Sequence, residues 1–367
     1  MAKKIPALIS LYLFFVASLE PTYVFGDDLL AQRPAATAPA LYVFGDSTAD
    51  VGNNNFRPQD APKANFAPYG IDFSGRIPTG RFSNGFIGVD YIARAMGLAK
   101  SPPPFLAVNS SWEMLRGVNL ASAGSGILDN TGKDVIAMVA QVKDFEAVAS
   151  NLTACLGEDI ATFKLGKSLF FFSVGSNDLF AQYPLLSRIG DAQKDQIVAF
   201  IVNKFKHQLK RLYALGARKY AVAGTGMIGC VPALRLQSPS GDCDEKLNDL
   251  SLRFKKATRA ILEELSLSLD GFKYSFLDAY ELGVAVEANP HMFGFTEVKS
   301  ACCGGGRLKA ETSCGEGNAT YCGERRRYYF WDNVHPTQAV YKLSAQVSLY
   351  GPPRLANPVN IHDLLLC

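Results

Sequence analysis

The run Leu41-Tyr42-Val43-Phe44-Gly45-Asp46-Ser47-Thr48-Ala49-Asp50 decides the fold, together with Gly52-Asn53-Asn54-Asn55 just beyond it. Four apolar residues that stop at Gly45-Asp46-Ser47 read as a buried strand handing the chain to a loop or helix. Ser47 then stands at a strand's carboxyl end, the edge of an open α/β sheet where ligands bind. A serine after an aspartate also serves as a helix cap or turn residue, so the remaining segments must decide between the two readings.

Working outward, residues 52–78 are rich in Gly, Asn and Pro, too interrupted for a regular element, and form a candidate rim for a cleft beside Ser47. Residues 83–96 turn helical, with Ser83 as a cap and Phe86, Val89, Ile92 and Ala93 on one face. Residues 116–121 read as a second strand before Ser122-Ala123-Gly124-Ser125-Gly126, and 134–152 as a helix. Residues 168–174 are almost continuously apolar, as a strand covered on both faces is, and end at Gly175-Ser176-Asn177-Asp178. Helix, strand, helix and strand follow at 195–215, 219–223, 246–265 and 273–277. This alternation implies an α/β fold: a mostly parallel, five-stranded sheet with helices on both faces. Residues 289–325 break the rhythm with a Gly- and Cys-rich excursion, and 338–349 read as a last helix.

The 367 residues are 48% hydrophobic and 19% charged, enough for one large core and unlike a disordered chain. A formal net charge of +3 gives no reason to expect a nucleic-acid partner. Lys3 and Lys4 precede an apolar run over 5–19, and Ala17, Ser18 and Gly26 offer cleavage points, the layout of a secretory signal over residues 1–26. The run falls short of the roughly 20 residues of a membrane span, with an uncleaved signal anchor as the alternative. Residues 27–40 are then a disordered lead-in and 41–367 a single domain, outside the cell in the wall or retained in the secretory pathway, as in the Golgi. Eight cysteines suit that compartment. Cys230 is expected to pair with Cys243, and Cys302, Cys303, Cys314 and Cys322 among themselves, with Cys155 and Cys367 left open. No Cys-x-x-Cys or His-x-x-His pair supplies zinc spacing, so no metal or cofactor is expected. Sequons place possible N-glycans at Asn109, Asn151 and Asn318.

Serine acyl transfer needs a base, a carboxylate to orient it, and donors for the developing oxyanion. Of the four histidines, His207 lies on a helix with a basic outer face, His362 in the tail, and His291 in a loop without an obvious partner. His335 follows Asp332 by three residues in a turn stiffened by Pro336, close enough for the carboxylate to hold one ring nitrogen. The same spacing also suits a helix N-cap cluster. Asn177 and Gly124, in loops on the same sheet edge as Ser47, can offer a side-chain amide and an unobstructed backbone N–H. They also suit plain turn and loop roles. Gly224-Thr225-Gly226-Met227-Ile228-Gly229 satisfies the dinucleotide pattern G-x-G-x-x-G, but Cys230-Val231-Pro232 follows where a helix should open.

Together the blocks Phe44-Gly45-Asp46-Ser47 with Asp50 and Gly52-Asn53-Asn54-Asn55, Asn119-Leu120-Ala121-Ser122-Ala123-Gly124-Ser125-Gly126, Gly175-Ser176-Asn177-Asp178 and Asp332-Asn333-Val334-His335-Pro336-Thr337 resemble the GDSL lipases and esterases. These are a branch of the SGNH hydrolases, here of the large secreted plant type. Thr48 stands where the family name has Leu. The resemblance implies a three-layer α/β/α sandwich with flavodoxin-like strand order. It implies Ser47 as nucleophile, His335 as base and Asp332 as its partner, with Ser47 N–H, Gly124 N–H and the Asn177 amide as the oxyanion hole. The substrate would be an acyl ester, either a lipid or an acetylated cell-wall polysaccharide such as xylan. A non-catalytic binding glycoprotein on the same fold is the reading from another class.

Overall fold

The structure is a computed structural model that describes residues 39–366. The expected signal, the lead-in through residue 38, and Cys367 lie outside the described residues.

Five short strands form the central sheet: β1 Leu41–Gly45, β2 Leu169–Ser173, β3 Lys219–Ala223, β4 Lys273–Leu277 and β5 Ala356–Pro358, hydrogen-bonded in that order. β1 to β4 are parallel and β5 is antiparallel to β4. β1 and β2 are buried on both faces, which is why their sequences are nearly continuous apolar runs. Even-numbered residues Tyr42, Phe44, Phe170, Phe172, Tyr220, Val222 and Phe276 face a core shared with helices α2 Met138–Leu156, α3 Asp191–Ala214 and α4 Glu245–Ser268. Odd-numbered Leu41, Val43, Leu169, Phe171 and Ala221 face α1 Gly88–Ala95, α6 Gln338–Tyr350 and the segment Ile361–Leu366. The period-2 alternation of the strands thus separates two helical layers, giving the three-layer sandwich.

The even face carries an aromatic ladder. Phe44 stacks on Phe172 at 5.1 Å between ring centroids, and Tyr220 on Phe272 at 4.2 Å. Such pairs add about 0.5–1.5 kcal/mol each beyond area burial. α4 is set by its sequence: Asp244 caps it by accepting from the Leu247 N–H, and Leu247, Leu250, Phe254, Ile261, Leu262 and Leu265 form its buried stripe.

The segment expected as a second strand, 116–121, departs from a regular strand. Leu41 and Val43 donate to the carbonyls of Arg116 and Val118, while Leu120 and Ser122 donate to those of Val43 and Gly45. The segment therefore runs parallel along the free edge of β1. It makes isolated bridges, from Asn119 to Val43 on one side and to Pro104 on the other. Counted with it, the chain order across the parallel sheet is 2-1-3-4-5, the flavodoxin-like arrangement. The fifth regular strand is Ala356–Pro358, which the sequence reading left out. Helices Glu158–Lys167 and α5 Ala279–Ala288 were likewise not read from the sequence.

Register fixes the site. Gly45, Ser173, Ala223 and Leu277 are mutual partners, so the four parallel strands end at one level. Gly45 has φ +147°, and a Cβ there would lie 2.1 Å from the Ser173 carbonyl oxygen, so only glycine lets β1 end against β2. Ser47 and Asn177 leave the sheet at this β1/β2 edge.

Candidate active site

Ser47 Oγ lies 2.8 Å from His335 Nε2, and His335 Nδ1 lies 2.8 and 3.0 Å from the two oxygens of Asp332. The Asp332 carboxylate is itself fixed: Oδ1 accepts from the backbone N–H groups of Val334 and His335, and Oδ2 from the Tyr69 hydroxyl at 2.7 Å. The Asp-x-x-His turn thus makes both contacts open to it, with the carboxylate closing the turn and holding the ring. Burial disfavours the imidazolium, but the charge and hydrogen bond of Asp332, aided by Asp46, outweigh it and raise the His335 pKa above 6.5. Burial also opposes ionisation of Asp332, yet His335 and the turn N–H groups hold its pKa below the usual carboxylate value. Phe82 packs on the imidazole, 4.7 Å between centroids. His207, His291 and His362 are all exposed, away from this cluster.

Gly124 and Asn177 line the same cleft as Ser47 and His335. Gly124 has φ +84°, a conformation that suits glycine. Among the described residues, neither the Ser47 nor the Gly124 N–H has a protein acceptor. Asn177 Nδ2 donates to the Ser125 carbonyl at 2.9 Å, which fixes the amide and leaves its second N–H. Three such donors therefore line the cleft that holds the Ser47 hydroxyl, donor groups of the kind that can stabilise a developing oxyanion.

The Asn-rich run behind Ser47 has a different place from the cleft rim expected. Asn53 and Asn54 are buried. Asn53 Nδ2 donates to the carbonyls of Asn119 and Ala121, and Asn54 Nδ2 to those of Pro62 and Ala123. Asp50 accepts from the N–H groups of Gly52, Asn53, Asn54 and Ala123. The run clamps the residue before Gly124 by both its N–H and its carbonyl. Pro62 is the one member of the expected 52–78 rim among the cleft-lining residues.

The sequence profile of the family described as GDSL-like Lipase/Acylhydrolase matches residues 41–347. The chain belongs to this family. It is similar to the Arabidopsis thaliana protein GDSL esterase/lipase At1g71691, 38% identical over 89% of this chain and 85% of the relative. GDSL esterase/lipase At1g71250 is 36% identical over 90% of each chain, and GDSL esterase/lipase At2g23540 is 34% identical over 98% and 96%, both also from Arabidopsis thaliana. Membership makes the chain a carboxylic ester hydrolase.

The GDSL chain's cleft measures ≈ 390 Å³ and is mostly apolar beyond its reactive end, with Phe180, Met227, Ile228, Val231, Leu234 and Val286 among its walls. The G-x-G-x-x-G run contributes Gly226, Met227 and Ile228 to this wall, and Ile228–Cys230 makes only a short turn of helix. The expected pair Cys230–Cys243 is present. The four clustered cysteines pair as Cys302–Cys322 and Cys303–Cys314, while Cys155 is free and exposed. These two disulfides pack with Tyr69, Phe82 and the fully buried Trp331, directly before Asp332. Tyr69 and Phe82 are parts of the site that the sequence does not mark, and for Asp50, Asn53 and Asn54, which it marks as a motif and a rim, it does not show the clamp. The one signal was the density of short polar side chains in a segment without regular structure, which is unusual unless they bond to backbone. Among the described residues no helix is long and apolar enough to cross a membrane.

Proposed function

We propose that this chain hydrolyses carboxylic esters through an acyl-enzyme on Ser47. His335 Nε2 takes the hydroxyl proton as Oγ attacks the carbonyl carbon, and Asp332 holds the ring and offsets the imidazolium charge. The N–H groups of Ser47 and Gly124 and the Asn177 amide receive the oxyanion. Collapse expels the alcohol, protonated by His335; water, activated by the same nitrogen, then frees the acid and restores Ser47. What carries the reading is the chain of contacts from Ser47 Oγ to His335 to Asp332, each at 2.8 Å, at one end of an apolar cleft.

That cleft supports acyl lipids as the substrate class rather than acetylated polysaccharide, because an acetyl group has no use for several apolar side chains beside the reacting carbonyl. The exposed side chains of Asn109, Asn151 and Asn318 support glycosylation of a secreted protein, carried into the secretory pathway by residues 1–26, with 41–367 as one hydrolase domain. On a short p-nitrophenyl ester, Ser47→Ala is expected to lose on the order of 10³-fold or more in kcat, together with labelling by a fluorophosphonate. Retained activity would end the proposal. Fatty-acid release from a glyceride is expected to exceed acetate release from acetylated xylan. The reverse order would move the substrate to polysaccharide and leave the chemistry in place.

A further inference from the structure

We infer that Tyr69 is a positioning residue for the Asp332–His335 pair, its hydroxyl fixing the carboxylate oxygen that holds the imidazole. Asp332 Oδ2 accepts from Tyr69 Oη at 2.7 Å and lies 2.8 Å from His335 Nδ1, so one oxygen serves both partners. Asp332 is 2% exposed and Tyr69 7%, so water cannot readily replace the phenol. The ring is held by edge contacts to Phe66, Phe82 and Trp331 at 5.2, 6.0 and 6.2 Å between centroids. Its backbone is tied down as well: Tyr69 N–H donates to the Phe66 carbonyl and Gly70 N–H to that of Ser83. The loop before α1 thus forms a wall against the pair, with Tyr69 on the carboxylate and Phe82 on the imidazole.

The hydroxyl has two consequences. It restrains rotation of a carboxylate whose other oxygen is held by the turn, keeping Nδ1 in line and Nε2 on Ser47. It also draws charge from the oxygen facing Nδ1, so removing it leaves that oxygen more negative and favours the imidazolium. His335 must be neutral to take the Ser47 proton, so activity rises with pH through its pKa, above 6.5 in the native protein. Losing the Tyr69 hydroxyl moves that rise to higher pH. The other groups facing the pair are Asp46, beyond β1, and Tyr341 of α6, while Glu316 of the excursion acts on Tyr69. Tyr69→Phe changes none of them and keeps the ring and its edge contacts.

The inference rests on the proposed roles of Ser47, His335 and Asp332, which Ser47→Ala tests separately. The experiment is the pH dependence of kcat/KM on p-nitrophenyl butyrate for the native protein, Tyr69→Phe, Asp332→Asn and the double variant, with folding followed by near-ultraviolet circular dichroism. For Tyr69→Phe the plateau is expected to fall roughly three- to tenfold, as for one of several hydrogen bonds to a charged group. Its acid limb should move up by about half a pH unit. In the Asp332→Asn background the same change should cost under about twofold, because the two residues act through one contact. An acid limb that stays in place, or full additivity in the double variant, overturns the inference even where Ser47→Ala is inactive. A Tyr69→Phe chain that no longer folds assigns the hydroxyl to stability and overturns it too.

Discussion

The two halves of the site are held by different means. Ser47, Gly124 and Asn177 lie at the ends of parallel strands or on the segment beside β1, and Asp50, Asn53 and Asn54 clamp that segment up to Ala123. Asp332 and His335 lie in an irregular turn between Tyr328–Phe330 and α6, backed by Trp331, two disulfides and the Tyr69 loop. The first half takes its precision from sheet register and a buried polar network. The second lies off the central sheet, beside the two-stranded pair of Glu297–Ala301 with Tyr328–Phe330, and depends on covalent ties and aromatic packing. In the proposed mechanism the attacking oxygen and the oxyanion donors must keep sub-ångström relations, which a shared sheet edge supplies. The base needs one ring orientation, which a carboxylate, a ring contact and a turn can fix.

The largest effect should come from breaking the first half. Asp50 is fully buried and accepts four backbone N–H groups, one from Ala123 beside Gly124. Asp50→Asn keeps one acceptor oxygen but turns an NH₂ toward donors it cannot pair with, so the loop carrying Gly124 must shift. Loss of an oxyanion donor costs roughly 10²–10³ in kcat. About 10² is expected here, with KM nearly unchanged, because the Gly124 donor is displaced rather than removed. Steady-state kinetics on a p-nitrophenyl ester decides it. A kcat within twofold of the native protein would show that the network is not what aligns the donors.

The second half should respond to its covalent ties by a smaller step. Cys302–Cys322 spans 20 residues of sequence, and opening it by a double Cys→Ser change should cost about 3 kcal/mol by loop entropy. Calorimetry should register a lower Tm, and kcat should fall roughly tenfold as Trp331 and Asp332 lose their backing. Fluorophosphonate labelling of Ser47 should slow in step, since it too needs His335. A lower Tm with unchanged kcat would mean that the turn holds Asp332 and His335 without the disulfide core.

The same contrast sets what could be read from the sequence. Strands such as residues 41–45 and 169–173 declare themselves through continuous apolar runs, and the loops after them follow from where those runs stop. Ser47, Gly124 and Asn177 were legible for this reason, and His335 because only four imidazoles exist and one has Asp332 three residues away. Tyr69 was not legible: it reaches Asp332 across 263 residues of sequence, and nothing local marks it among fifteen tyrosines. Asn53 and Asn54 were misplaced on the rim because short polar side chains look alike whether they face water or buried carbonyls. The segment 116–121 shows β-like patterning and does run along β1, but its pairing is limited to isolated bridges at Asn119, which nothing in its own sequence marks. β5 is three residues long and carries a proline, tolerable only at a sheet edge.

The smallest effect should fall on the wall between the two halves, where the chemistry is untouched. Phe180 lies in the helix Ser176–Gln182, three residues beyond Asn177, and lines the cleft. Phe180→Ala leaves every hydrogen bond of both halves in place and removes apolar surface that an acyl chain would cover. Partial loss of such a contact is worth about 1 kcal/mol, or roughly fivefold in kcat/KM. The loss should appear with p-nitrophenyl octanoate and stay within about twofold for the acetate, which is too short to reach the ring. Acyl-chain dependence is the decisive readout, because a disturbed Asn177 would slow both esters alike. An equal fall for the two would place Phe180 with the first half of the site as support for the oxyanion donor, and the apolar wall would lose its assigned part in substrate selection.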